Sequence, residues 1–232
     1  MNTFDPETFE IKYKIADVAT DLFIKNDQKF TIKDVAGKVD MDPAEIFDYF
    51  PNKKAILEFY YASLVTRYEL MLDEIEDFES YSLSEKMSNF IFTSFDMMRE
   101  KEAFVNTTFK RLILRSFDKT DFEKEVERLT EKFLKDDQNL AISSTILLNH
   151  YFFSFLRIQY LELVRFWLND TSEENELTME LTDKLTSFLE ELLYNTVVDK
   201  GFDLAKFIFS NRNVCLQNVP IVKEILSKVE IR

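Results

Sequence analysis

Residues Thr31–Leu57 read TIKDVAGKVDMDPAEIFDYFPNKKAIL. Thr31 suits a helix N-cap, and Asp34 three positions on completes a capping box, in which each side chain accepts from the other residue's free backbone N–H. Ile32, Val35, Ala36 and Val39 fall at i, i+3, i+4 and i+7, one apolar stripe of a helix. Asp40-Met41-Asp42 then interrupts. Asp42 caps a second helix, Pro43 takes its first position, where a missing N–H costs nothing, and Glu45 closes a second capping box. Pro51 stops that helix after Phe50 and opens the next. Two short helices joined by three or four residues have helix-turn-helix spacing.

Upstream, Asp5 and Pro6 start a helix that runs to about Lys25. Its inner face, Ile11, Ile15, Val18, Ala19, Leu22 and Phe23, is expected to meet Val35, Ala36, Val39, Ile46, Phe47 and Phe50 in a three-helix core. The quoted stretch and its flanks resemble the tetracycline-repressor (TetR) family of bacterial regulators. The residues that carry the resemblance are Ile15, Ala19, Leu22 and Phe23, then Thr31, Val35 and Ala36, then Ile46, Phe47, Tyr49, Phe50 and Lys53. It implies an all-α fold, with a helix-turn-helix domain over residues 1–51 and a helical ligand-binding and dimerisation domain over 52–232. It also implies a double-stranded DNA operator as partner. Thr31, Tyr49 and Lys53 would hold backbone phosphates, with Lys33 a further basic candidate, and such contacts position without specifying. Base edges would fall to Pro43, Ala44, Glu45 and Asp48, and Phe47 stands where the family usually has tyrosine.

The charge runs against that partner. The 232 residues carry a net −14, and residues 1–57 hold eight Lys and no Arg against eleven Asp and Glu, a balance of −3. DNA affinity rests on cations that neutralise phosphates, and Asp40, Asp42, Glu45 and Asp48 cluster on the recognition segment. A second reading therefore stands beside the regulator: a module of the same fold that binds lipid or a protein partner and has lost DNA reading.

Only two Gly and four Pro punctuate the chain, too little turn material for a many-stranded β fold. The 24 Phe and 46% hydrophobic content suffice for a core. The lone Cys215 excludes an internal disulfide and suits a reducing compartment. The first residues lack a signal-peptide pattern and no apolar run is long enough to span a membrane, so a cytoplasmic protein is expected. One His and one Cys, with no phosphate loop or metal-spaced cluster, give no case for an enzyme, a metal or a cofactor.

Downstream, a helix is expected from Asn52 to about Glu76, a break over 77–82, and helices over 83–101 and 103–116. A more polar, peripheral helix follows over 122–135. Residues 142–168 are apolar nearly all round, and the helix over 173–200 carries a stripe of Leu177, Leu181, Leu185, Phe188 and Leu192, with Gly201 as its stop. These two long helices form the expected homodimer interface, with Phe166, Leu181, Leu185, Phe188 and Leu192 in it. Two short helices are expected near 204–209 and 219–229. The resemblance also implies a pocket for a small apolar effector, with Phe90, Phe95, Met98, Phe109, Tyr151, Phe152 and Phe155 as candidate walls.

Overall fold

The computed structural model describes residues 4–141 and 144–195, with backbone only at 145 and 146. The expected helices beyond residue 195, Gly201 and Cys215 lie outside the described residues. Among the described residues every regular element is helical.

Helix α1 (Pro6–Lys25) starts at Asp5, whose carboxylate accepts from the Glu7 N–H. The turn after it uses Asp27 and Gln28 at φ 51° and 65°, because a chain with two glycines must make left-handed turns with polar residues. Both sequence-predicted capping boxes are formed. Thr31 and Asp34 cap α2 (Ile32–Val39), and Asp42 and Glu45 cap α3 (Pro43–Tyr49). Ile15, Ala19, Phe23, Val35, Ala36, Val39, Ile46 and Phe50 are buried between the three helices. Phe47 is not. It is 55% exposed, because Ile46 and Phe50 take the inward positions one turn apart and residue 47 lies about 100° round the helix.

Helix α4 (Lys53–Leu72) begins at the Asn52 cap and stops earlier than expected. The acidic run Asp73, Glu74, Glu76 and Asp77 would have set negative charge against the negative end of the helix dipole. Its inner side is buried through Ile56, Leu57, Tyr60, Tyr61, Ser63, Leu64, Val65 and Tyr68, and it packs chiefly on α1 and α7. It is the mast of the body.

Helix α5 (Leu83–Arg99) follows the Ser82–Glu85 capping box. Helix α6 (Glu102–Phe109) runs into a π turn over Lys110–Leu114 instead of continuing as one α-helix. Helix α7 (Asp121–Asp136) corrects the peripheral reading. Its polar face is solvated, but Phe122, Val126, Leu129, Phe133 and Leu134 are buried against α4, α5 and α9. The expected continuous helix over 142–168 is broken. Helix α8 (Ser144–Leu147) is separate from α9 (His150–Trp167), because Asn149 accepts from the N–H groups of Tyr151 and Phe152 and caps a new start. Helix α10 (Glu176–Tyr194) lies along α5.

Buried tyrosines find partners inside this core. Tyr60 donates to the Met97 carbonyl at 3.2 Å, Tyr68 to Asn89 Oδ1 at 2.9 Å and Tyr160 to Ser94 Oγ at 2.8 Å; Tyr61 and Thr108 share a hydrogen bond of 2.7 Å. Burial pushes all four phenols up from their usual range, so they stay protonated donors. Polar clamps tie the N-terminal helices to the body. Lys101, between α5 and α6, bonds Asp17 at 2.9 Å and also Asp21, both on α1. Arg67 of α4 lies 4.9 Å from the Tyr13 ring and reaches Glu100 at 3.2 Å.

Candidate nucleic-acid interface and pairing face

The turn between α2 and α3 is set by Asp40 at φ 61°, ψ 49°, a left-handed C-cap that bends the chain into Met41 and Asp42. Beyond it α3 presents Pro43, Ala44, Glu45, Phe47 and Asp48 to solvent, with Ile46 holding the helix down. The acids on this face differ in what occupies them. Asp42 accepts from the Ala44 N–H at 2.8 Å, and Glu45 accepts from the Asp42 N–H at 2.8 Å. Asp48 has no hydrogen-bond or ion-pair partner among the described residues.

Thr31 is exposed. Its Oγ1 accepts from the Asp34 N–H at 3.1 Å, and in return the Thr31 hydroxyl and the Thr31 N–H, 2.8 Å from Asp34 Oδ2, hold the Asp34 carboxyl below its usual range. Lys33 is exposed on α2. Lys53, at the first turn of α4, donates to the Phe30 carbonyl at 2.7 Å with its ammonium 5.4 Å from the Phe30 ring. That bond sets the start of α4 beside the start of α2, two helix ends whose free N–H groups favour anions. Tyr49 is half-buried in a cleft of ≈ 420 Å³ between the helix-turn-helix and the loop that precedes α7.

The second feature is an inversion on α10. Its inward face carries Thr178, Thr182 and Thr186, with Leu189 and Leu193, while Leu177, Leu185 and Phe188 face out. Thr186 shares hydrogen bonds with Ser84 and Ser88 of α5 at 3.1 and 2.8 Å. These small hydroxyl residues allow α5 and α10 to approach closely, which Leu or Phe would prevent. Beside them, α9 exposes Tyr151, Phe155, Ile158 and Phe166 at helical spacing. The two outward faces meet at a groove floored by Leu163, Phe166, Leu181 and Leu185. Gln159, Glu162, Arg165 and Asn169 rim the groove, and an exposed apolar patch rimmed by polar residues marks an interaction surface.

The sequence profile described as "Tetracyclin repressor-like, C-terminal domain" matches residues 86–208, more than half of the chain. The chain belongs to the tetracyclin-repressor-like family. A crystal structure of the TetR transcriptional regulator from Nitrosomonas europaea ATCC 19718 is similar in fold, with a TM-score of 0.57 at 18% identity over 82% of this chain and 100% of that chain. A putative tetR family transcription regulator from Shewanella sp. PV-4 gives 0.47 at 15% identity over 75% of this chain and 95% of that one. No curated protein matches the sequence.

Within this tetracyclin-repressor-like chain, the residues named as effector-pocket walls separate. Phe90 packs on Tyr68 and Tyr160, Phe109 on Tyr61, and Met98 is fully buried, so these three are core. Tyr151 and Phe155, 83% and 52% exposed, cannot wall an enclosed pocket with them; they sit opposite Phe153, Leu156 and Tyr160 on α9 and join the outward apolar stripe. Phe152 is half-buried beside Phe155. Only Phe95 among them lines a described cleft. It stacks on Trp167 at 5.3 Å and 5° in a space of ≈ 550 Å³ shared with Phe92 and Met179, and the buried Trp167 Nε1 has no hydrogen-bond partner among the described residues. Of the residues expected at a dimer interface, Phe166, Leu185 and Phe188 are exposed and Leu181 and Leu192 half-buried, all on the α9–α10 side. Sequence reasoning missed Tyr151, Phe155 and Ile158 there. Their spacing, with Phe166, was readable as a stripe on one side of α9.

Proposed function

We propose that this chain is a DNA-binding transcriptional regulator that works as a homodimer, repressing from its operator and releasing it when a small apolar effector binds the body. The observation that carries the DNA reading is the doubly capped α2–turn–α3 unit, whose second helix is pinned by Ile46 and leaves one whole face in solvent. In this reading residues 1–51 are the reading domain and 52–232 the ligand-binding and dimerisation domain. Thr31, Lys33, Tyr49 and Lys53 hold phosphates. Pro43, Ala44, Glu45, Phe47 and Asp48 face the bases, where the Phe47 ring suits a thymine methyl and Asp48 a cytosine amino group. The outward face of α9 and α10 pairs with its copy, which would set two recognition helices about 34–36 Å apart. The effector takes the Phe95–Trp167 cleft, against the face of the stacked rings.

A specific observation favours the second reading, a module that has lost DNA binding. The exposed face of α3 carries Asp48 and no cation, and Lys53 already spends one N–H on Phe30. One experiment separates the two. Binding to the duplex upstream of the protein's own gene is titrated from low to moderate salt, with Lys33→Ala alongside. A regulator loses affinity as salt rises, and the variant binds more weakly with a salt slope shallower by about 1. No binding at low salt retires the regulator reading for that duplex in favour of the module. The effector is read separately: Trp167 is the sole tryptophan, so occupancy of its cleft would change its fluorescence.

A further inference from the structure

We propose that the cleft bounded by the α1–α2 turn, the start of α4 and the π turn after α6 binds a small amphiphilic acid, a carboxylate carried on an apolar stem. The space is ≈ 430 Å³, within the roughly 300–1,000 Å³ of small-molecule sites. Its side chains divide into two sets. Lys29, Lys53, Lys54 and Arg111 bring four cations to it, and the outer edges of Phe23, Phe30, Leu57 and Leu112, core residues less than a tenth exposed, supply apolar wall; Gln28 completes the lining. No carboxylate lines it, in a chain of net charge −14.

The cations also differ in how they are held. Arg67, Arg99, Arg128, Arg157 and Arg165 each pair with a carboxylate. Arg111, like Arg115, has no such partner among the described residues; it lies 5.7 Å from the Phe23 ring. Lys53 is fixed by the Phe30 carbonyl and ring, and two of its three N–H donors remain. Lys54 is paired with Glu58 at 3.0 Å, while Lys29, Lys53 and Arg111 have no carboxylate in ion-pair contact among the described residues, Lys53 feeling Asp34 only at longer range. Cations converging over a low-dielectric wall attract an anion strongly, and a guanidinium takes a carboxylate in a two-point contact. A bare inorganic anion would leave the apolar edges at the floor of the cleft uncovered; a neutral apolar molecule would leave the charges unanswered. Arg111 and Leu112 come from the π turn, a rare backbone form that concentrates at functional sites.

This site stands apart from the effector cleft at Trp167. It shares Lys53 with the proposed phosphate contacts, so a competition between the acid and DNA would rest on the DNA reading, whereas binding of the acid does not. The test uses the full chain, titrated with sodium octanoate, octanol and inorganic phosphate by calorimetry and NMR. Octanoate is expected to saturate at one per protomer, and octanol and phosphate not to saturate over the same range. Arg111→Gln and Lys29→Gln should each weaken octanoate by roughly tenfold, and Lys135→Gln, at the exposed end of α7, should leave it unchanged. Circular dichroism checks that each variant is folded, and Lys29, on an exposed turn, carries the test if Arg111→Gln does not fold. The proposal is overturned if octanoate does not saturate while monomeric, if octanol binds as well as octanoate, or if folded variants bind octanoate as the parent does. It is also overturned if Arg111→Gln weakens DNA and octanoate fails to bind, which would assign these cations to DNA phosphates.

Discussion

At position 40 the backbone needs positive φ and the chain supplies an aspartate, while a glycine sits three residues earlier in the middle of α2. Each residue would suit the other's place better. A Cβ on Gly37 meets no atom within 4 Å, so Gly37→Ala should stabilise the fold by about 0.5–1 kcal/mol through helix propensity and a less free unfolded chain. Asp40→Gly should gain a similar amount, about 1 kcal/mol, by lifting the left-handed penalty on a Cβ-bearing residue. Urea unfolding checks both, with midpoints expected to rise and slopes to stay fixed. The capping boxes at Thr31, Asp34, Asp42 and Glu45 were legible in the sequence because a cap involves only neighbours within one turn. Phe47 was not. An apolar residue beside two buried ones reads as core, and only the orientation of α3 on α1 and α2 decides that it faces water.

Helices α7 and α9 are tied by a partly buried charge cluster. Arg157 pairs with Glu123 and reaches Glu127 at 3.2 Å; Lys119 and Ser154 also bond Glu127. Burial alone would raise the Glu127 pKa, but Lys119, Ser154 and Arg157 together outweigh it and hold the carboxyl below its usual value of 4.5. A depressed carboxyl stabilises the fold fully above its unfolded pKa and loses that contribution as pH falls through the folded one. Stability is therefore expected to drop below about pH 4.5, and Glu127→Gln should be less stable at neutral pH with a shallower acid loss, measured by thermal melting between pH 3 and 7. At this scale the sequence showed α10 as amphipathic but not which face turns inward. The leucine stripe with Leu185 and Phe188 is expected at a dimer interface, and hydropathy says nothing of what the side toward α5 carries. The close approach of α5 selects Thr178, Thr182 and Thr186, and nothing local to α10 records that approach.

The whole molecule carries its consequences on the outward faces of α9 and α10. If they pair with their copies, as proposed, Phe188→Glu, at a site 64% exposed, should leave helix content unchanged and convert dimer to monomer in sedimentation. A monomeric parent chain would remove the pairing face from the proposed function. The all-α class was legible from sparse Gly and Pro and from helical periodicity. The proposed effector cleft was not, because core aromatics such as Phe90 and Phe109 share their composition with pocket walls, and only their neighbours Tyr68, Tyr160 and Tyr61 show that they are already enclosed.

The grip of Lys101 on Asp17 and Asp21, with Arg67 against Tyr13, makes the N-terminal helices a continuation of the body rather than a hinged appendage. In a paired molecule the distance between the two reading ends would then be inherited from the angle at which α9 and α10 cross their copies. The preferred gap between half-sites would be written in the body, far from any residue that meets DNA. Evolution could lengthen or shorten that gap by repacking the pairing face while leaving every residue of α3 untouched.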